Sequence, residues 1–524
     1  LSAPGCWRLA AALLAALGLV AVALAEKPRL SSLAWPVLAA GVALGLLAKP
    51  GPTAAWRHGS VGVGRAPASG TPNSFEEWAR ELRRNTRWQK DGVESSVALN
   101  DKSGWAFVVN GKVDGNARSD ASTQVMAGLM GTLVHPGVHR SLVVGLGTGS
   151  TAGWLGQVPT MERVDVVELE PAILEVARRC APVNRDVLAN PKVRITIGDA
   201  REVVGTTRAR YDLIFSEPSN PYRAGIASLF TAEFYRAAAA RLGDDGLFVQ
   251  WLQAYNVDAQ TIRTIYATLA SVFPEVETWI TEESDLLLIA SKRPIVYDVA
   301  RLRARIAEEP WKTALARVWR ADDLEAVFAR YVANAGFARA IAALEDDRLN
   351  TDDMTRVEFG FARGLGFRAH QFEVAELRTA AAEHGYATPR LADGALDRAR
   401  LAERGVPMLA ADWRPPPTPP AGALAGLKQR GAAVQKWEDG DFADAVAEWR
   451  AQEREPDDSI ALAVLAESLA DAGDATAEKY IARLRPGHAV EAELYEARLQ
   501  FRSGHVADAA AALERAFAAA ERDP

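Results

Sequence analysis

The 524-residue chain predicts an α/β fold, a doubly wound and mostly parallel sheet, on three observations. Short β-branched runs alternate with helical segments between residues 141 and 291. A glycine turn, Gly145-Leu-Gly147-Thr-Gly149, follows directly on the first of these runs. Acids close the later runs at Glu168, Asp199 and Glu217. In such sheets ligands sit beyond the carboxyl ends of the strands, where all of these residues fall.

Taken in order, the chain opens with two apolar stretches, residues 9–25 and 33–48, separated by EKPRL. Each is near the lower length limit for crossing a bilayer, so residues 1–50 predict a hairpin of two transmembrane helices. Arg8 on one outer flank and Lys49, Arg57 and Arg65 on the other outnumber Lys27 and Arg29 between them. That asymmetry turns the large remainder toward the cytoplasmic side of a bacterial-type inner membrane. A secretory signal peptide is the alternative, with Arg8 ahead of the apolar run and Ala23-Leu24-Ala25 as the cleavage site.

Residues 51–72, rich in Gly, Pro, Ser and Ala, read as a flexible linker. Residues 73–140 predict a small domain. Ser74 opens a helix with Glu77 at the capping-box position, a β-hairpin lies within residues 94–113, and a helix over 123–134 is stopped by His135-Pro136-Gly137. Residues 141–293 form the nucleotide-type domain, with strands at 142–144, 164–167, 193–197, 211–215, 247–251 and 286–289 and helices at 171–180, 230–242 and 258–272. Residues 294–412 are mainly helical by pattern, and residues 413–422, WRPPPTPPAG, are a stiff proline-rich linker. Within residues 423–524, Gly440-Asp-Phe442, Gly473-Asp and Gly504-His-Val506 recur 33 and 31 residues apart. This is close to the tetratricopeptide period of ~34 and predicts about three helical hairpins whose concave face takes a protein or peptide partner.

Composition narrows the function classes. A net charge of −7 gives no support to a nucleic-acid partner. Cys6 and Cys180 are too few for a disulfide framework, and the seven histidines show no zinc-ligand spacing, so no metal is expected.

The glycine spacing is tighter than the G-x-G-x-x-G that cradles a pyrophosphate, so a nucleoside ligand without phosphates, such as S-adenosylmethionine, fits better than NAD. Glu168, at the tip of the second strand, suits a ribose diol. Asp199 either accepts a bond from an adenine amino group or caps the helix that follows. Glu170 reads as a local cap of the helix begun by Pro171. Glu217, in the stiff loop FSEPSNPY, leaves its strand where a reacting group would meet the cofactor; it is the candidate catalytic acid-base, able to hold an ammonium and take its proton.

On these residues the span 94–291 resembles the spermidine synthase (polyamine aminopropyltransferase) family, especially its membrane-fused bacterial branch with the E-P-S-N-P loop. The resemblance implies a Rossmann-like transferase fold, decarboxylated S-adenosylmethionine as cofactor and a small amine as substrate. It assigns Gly145, Gly147, Thr148 and Gly149 to the cofactor loop, Glu168 to the ribose, Asp199 to the adenine side, Glu217 to catalysis and Gln124 to the substrate channel. Five positions depart from the family's pattern, one of them Glu217, which stands where relatives carry a catalytic Asp. Thr148 stands where relatives carry the Asp that holds the aminopropyl amine, Asn220 where an Asp binds the substrate ammonium, Thr123 for a tyrosine and Asp114 for a glutamine. Each lost anionic partner costs on the order of 1.5–3 kcal/mol unless Asp114 or Asp120 compensates. Asp114, Asp120, Gln124, Asn220 and Tyr222 are the candidate substrate contacts. Membrane-tethered aminopropyl transfer is the leading expectation. The alternatives are methyl transfer from S-adenosylmethionine and a non-catalytic cofactor-binding scaffold acting through its repeats, and a homodimer is compatible with each.

Overall fold

The computed structural model describes residues 3–24, 34–35, 37–42, 45, 58–59, 74–101, 104–223, 225–282, 284–345, 348–364, 372–407, 424–452 and 454–522. Residues 33, 36, 43–44 and 46–48 of the second apolar stretch, the linker 51–72 apart from residues 58 and 59, and the proline-rich linker 413–422 lie outside the described residues. The first apolar stretch forms the helix Ala3–Ala23. Among the described residues no helix is long and apolar enough to cross a membrane, so the expected membrane hairpin is not supported. Arg8 lies within this helix, so its uninterrupted apolar run covers only residues 9–23, short of the ~20 residues that a bilayer core needs.

The central sheet has eight strands. Five are parallel: β5 (Arg140–Val144), β6 (Arg163–Glu168), β7 (Val193–Ile197), β8 (Tyr211–Ser216) and β9 (Leu242–Gln253), in the spatial order β9-β8-β5-β6-β7. β10 (Glu275–Glu282) and β11 (Asp285–Ser291) form an antiparallel hairpin whose second strand pairs with β9, and Tyr331–Ala333 adds the outer edge, again antiparallel. The sheet is therefore mixed rather than mostly parallel, and the expected closing strand runs backwards.

Strand alternation builds a core on each face. Val143, Val164, Val166, Leu213 and Phe215 pack on one side, against Val125, Leu129 and Leu133 of the helix Ala121–Val134. Leu142, Val144, Ile214 and Phe248 point to the other, against Phe234 and Tyr235 of the helix Ala232–Arg241 and Ile265 and Leu269 of the helix Ala259–Ala270. Both faces are covered, as a sheet with helical crossovers requires.

Ahead of this sheet, the expected hairpin is the middle of a four-stranded antiparallel meander, β1 (Thr86–Asp91), β2 (Ser96–Asn100), β3 (Ala106–Val109) and β4 (Lys112–Asn116). The segment after β11 closes over the far edge of the sheet. Tyr297 donates to the buried Glu277 of β10, and Trp279 donates to the Tyr297 hydroxyl at 3.3 Å. Burial pushes the Glu277 carboxyl up to about 7. The tail forms three helical hairpins, Leu424–Glu438 with Phe442–Arg450, Ser459–Asp471 with Ala477–Leu484, and Ala489–Arg502 with Val506–Arg522. Gly440, Gly473 and Gly504 occupy the turns at positive φ. Buried Arg404 and Arg430 share Asp458 and fasten this tail to the preceding segment.

Gly153, in the helix Ser150–Leu155, has the Asn184 carbonyl oxygen 1.8 Å from where a Cβ would sit, whereas Gly198 has nothing within 4 Å. Gly153→Ala should cost about 2–3 kcal/mol in denaturant unfolding, and Gly198→Ala should change stability by less than about 0.5 kcal/mol.

Candidate active site

One cavity of about 920 Å³ opens at the carboxyl edge of the parallel strands. Gly145, Gly147, Thr148, Glu168, Asp199, Glu217, Asp114, Asp120 and Gln124 all line it. Gly149, Asn220 and Tyr222 are not among its lining residues.

The glycines serve different purposes. A Cβ on Gly145 would come within 2.9 Å of the Glu217 carbonyl oxygen, so this glycine lets the first and fourth strand ends approach each other. Gly149, at φ +83, caps the helix Ser150–Leu155 and packs on Val187 and Asn184, which takes it out of the cavity wall. Gly147 lines the cavity, with the Phe107 ring 3.5 Å from where a Cβ would lie. The close backbone approach expected of the whole turn thus belongs to Gly145-Leu-Gly147.

Glu168 is buried, and its carboxylate accepts from the backbone N–H of Leu146 at 2.8 Å and of Glu170 at 2.9 Å. It shapes the glycine turn from below; burial raises its pKa against the pull of these bonds. Glu170 accepts from Ala172 N at 2.9 Å, as a helix cap, and also from Glu94 N at 2.8 Å and Ser95 N at 3.0 Å, tying the small sheet to the large one. Asp199 caps the helix Ala200–Thr206 through Arg201 N at 2.7 Å while lining the cavity, so both of its sequence readings are structurally open. Beside these strand ends Leu169, Ile173 and Leu229 supply apolar surface. A purine nucleoside without phosphates fits these groups: carboxylates for a diol, apolar walls for a ring and a bare glycine backbone beneath.

The opposite part of the cavity is acidic. Glu217 leaves β8 with its N–H on the Val144 carbonyl at 3.1 Å, and its Oε2 lies 2.8 Å from the Thr151 hydroxyl. That hydroxyl is also 2.8 Å from the Gln124 carbonyl, and it has one proton to give. When Thr151 donates to Gln124, Glu217 must itself carry the proton it shares with Thr151. Burial, with the charges of Asp285 and Asp120 adding to it and the Thr151 bond opposing, pushes the Glu217 carboxyl up to about 7. A base whose pKa lies near neutrality is suited to taking a proton from an amine.

Asp285 is the acid that the sequence reading missed. It opens β11 opposite Gln253, the last residue of β9, so the antiparallel return delivers it to the carboxyl edge. Its Oδ2 accepts from Thr123 Oγ1 at 2.9 Å, and Thr123 Oγ1 meets Thr281 Oγ1 at 2.9 Å. Burial and the charges of Glu282 and Asp120 raise its carboxyl to about 7, against the Thr123 bond and the Trp251 indole, whose N–H lies near but outside bonding geometry. Among the described residues, neither Glu217 nor Asp285 stands in an ion pair.

The substrate contacts sort differently from expectation. Asp114 is spoken for by Arg223 and by Lys112 at 3.3 Å, so it is not a free anion for an ammonium. Asp120 accepts from Asn116 N at 2.8 Å and Ser119 Oγ at 3.0 Å and still lines the cavity. Asn220 is buried and is not among the residues that line the cavity. Thr148 is buried with its hydroxyl on the Gln124 side-chain oxygen, while Gln124 Nε2 donates to the Asn116 carbonyl at 3.2 Å. Both side chains are therefore engaged with each other and with backbone at the cavity wall. No group of His, Cys, Asp and Glu among the described residues could hold a metal ion.

Residues 121–282 match the spermine/spermidine synthase domain. The synthase-like segment is 29% identical over 145 residues to a polyamine aminopropyltransferase of Desulforudis audaxviator, covering 28% of this chain and 52% of that protein. It is 31% identical over 149 residues to one from Nitrosomonas europaea, covering 28% and 46%. A spermidine synthase of Dictyostelium discoideum is 25% identical over 206 residues, covering 39% and 71%. The chain spans about half the length of the first curated relatives it matches. Among solved structures, the spermidine synthase of Thermotoga maritima overlaps with a TM-score of 0.36 at 19% identity over 45% of this chain and 84% of that one. A spermidine synthase bound to the transition-state analogue AdoDATO overlaps with a TM-score of 0.39 at 19% identity, over 50% and 89%.

The two raised carboxyls set a pH signature. Folded pKa values above the ordinary carboxyl range mean that the unfolded chain releases these protons first. The stability contributed by the protonated groups is complete below that range and is lost as pH rises through about 7. Glu217→Gln and Asp285→Asn should each stabilise the protein more at pH 8 than at pH 4, by on the order of 1–3 kcal/mol, in paired denaturant melts.

Proposed function

We propose that the chain transfers an aminopropyl group from decarboxylated S-adenosylmethionine to a di- or polyamine. The observation that carries this reading is the pair Glu217 and Asp285, two carboxyls in one cavity without a counter-cation among the described residues, on the same edge as the glycine turn. A cationic acceptor supplies the missing charge, and each charge-assisted bond it makes there is worth roughly 1.5–3 kcal/mol. Asp285 takes over the task that Asn220 has no charge to perform.

When bound, decarboxylated S-adenosylmethionine supplies a sulfonium-activated propyl carbon and leaves as neutral methylthioadenosine. Gly145, Gly147, Glu168 and Asp199 would hold its nucleoside. Asp285 and Asp120 keep the acceptor's ammonium groups oriented. Glu217 takes one proton from the reacting nitrogen, whose freed electron pair forms the new C–N bond as the C–S bond breaks. Thr151 steadies Glu217 in either protonation state, because its hydroxyl can donate to the carboxylate or accept from the acid.

Methyl transfer is a second reading, favoured by Thr148: its hydroxyl is occupied by Gln124, so it offers no anion to the free amine that distinguishes the decarboxylated cofactor. The repeat tail as a tetratricopeptide-type platform for a protein partner belongs to the same proposal and rests on the three hairpins and their glycine turns. Placement at the cytoplasmic face of an inner membrane rests on the flanking charges of the N-terminal segment alone, and fractionation of cells carrying the full chain checks it.

Incubation with either cofactor and a mixture of diamines and polyamines separates the chemistries. Methylthioadenosine is the expected product, S-adenosylhomocysteine would support methyl transfer, and neither product would refute both. Glu217→Gln should lower kcat by about 10²–10⁴-fold, and its kcat/KM profile should lose the rise through about pH 7 seen in the parent. Asp285→Asn should raise the KM for the amine by about ten- to a hundred-fold with a smaller change in kcat.

A further inference from the structure

A second cavity, of about 900 Å³, lies where the sheet, the segment after it and the repeat tail meet. Its volume is that of a small-molecule site. Its lining carries seven arginines against four acids, and the pairing of these groups decides what it can hold. Arg404 and Arg430 are spent on Asp458, and Arg320 is paired with Glu491. Arg330 and Arg378 stand in no ion pair among the described residues.

Both line this cavity, and the charge of Arg378 reaches Arg330. Arg378 Nη2 reaches the carbonyl of Ala329, the residue before Arg330, at 3.5 Å. Arg330 lies over the Trp319 ring at 4.5 Å and gives Nη1 to the Thr281 carbonyl at 2.7 Å, which fixes its plane and leaves the rest of its fork free. On the same wall the buried Nη1 of Arg320 has no hydrogen-bond partner. Glu282 is the nearest acid by charge, but it accepts from Ser122 and makes no ion pair with Arg330. Burial lowers the Arg330 pKa to about 10, opposed by Glu282 and reinforced by Arg378, and burial lowers Arg378 as well. Adjacent half-buried cations that no carboxylate pairs directly are costly unless an anion completes them.

We infer that Arg330 and Arg378, with Nη1 of Arg320, form a binding site for the phosphate group of a small molecule. Paired guanidinium forks match the oxygens of a phosphate bidentately, and this recognition is what distinguishes arginine from lysine. The site backs onto the amine cavity: Arg330 holds Thr281, Thr281 meets Thr123, and Thr123 holds Asp285. It is nevertheless separate from the nucleoside groups, which lie in the other cavity.

Calorimetric titration of the full chain with pyrophosphate and with ADP, at ionic strength held constant with sodium chloride, tests the site. Saturable binding is expected, weakened at least tenfold by Arg330→Gln or Arg378→Gln and unchanged by Arg293→Gln, which removes an exposed pair with Asp244. Tighter binding of ADP would assign a nucleotide and equal binding a free phosphate; either supports the site. Arg378→Lys, which keeps the charge and loses the fork, should also weaken binding and serves if the glutamine variants fail to fold. Absence of saturable binding, or equal affinity in the parent and a folded variant at either arginine, would overturn the inference.

Discussion

Two carboxyls without a counter-charge among the described residues, Glu217 and Asp285, are the constraint on which this site depends. Burying them together is unfavourable, and their raised pKa values express that cost. Elsewhere the chain readily neutralises acids: Asp114 has Arg223 and Lys112, Glu325 has Arg303, and Asp458 has Arg404 and Arg430. At Glu217 and Asp285, among the described residues, the bonds come from threonine hydroxyls. A site arranged in this way holds unspent electrostatic free energy for a cation, and it is less stable empty than a neutral version would be.

The fold serves to bring these two groups to one edge. Glu217 arrives on a parallel strand and is drawn against the first strand end because Gly145 has no side chain to hold it off. Asp285 arrives on a strand running the other way, at the start rather than the end. The buried hairpin β10–β11 is itself held by Tyr297 on Glu277, so the segment beyond the synthase-like region supports the acid wall. The arginine cavity behind that wall is reached through the same threonines, which places two oppositely charged sites on either side of Thr123 and Thr281.

Much of this was legible in the sequence. The parallel strands, the glycine turn, Glu168, Asp199 and Glu217 could be read because β-branched runs ending in Gly or acid are a local signal. Asp285 could not be, since a closing strand taken as parallel puts its first residue on the far edge; only the register Asp285 to Gln253 reverses this. β10 was hidden for a related reason: Glu275 and Glu277 look solvated, yet the following segment buries both. β1, polar and half-exposed at an edge, carries no alternation to find. Asp114 misled because its partner Arg223 is far away in sequence.

Proton release on amine binding tests the central claim most directly. Titration of the full chain with a diamine near pH 6.5, in buffers of different ionisation enthalpy, counts protons exchanged. An ammonium entering between Glu217 and Asp285 lowers both pKa values, so about one proton should be released, and the release should shrink in Asp285→Asn and Glu217→Gln. Binding without proton release, or release that is unchanged in both variants, would contradict the account.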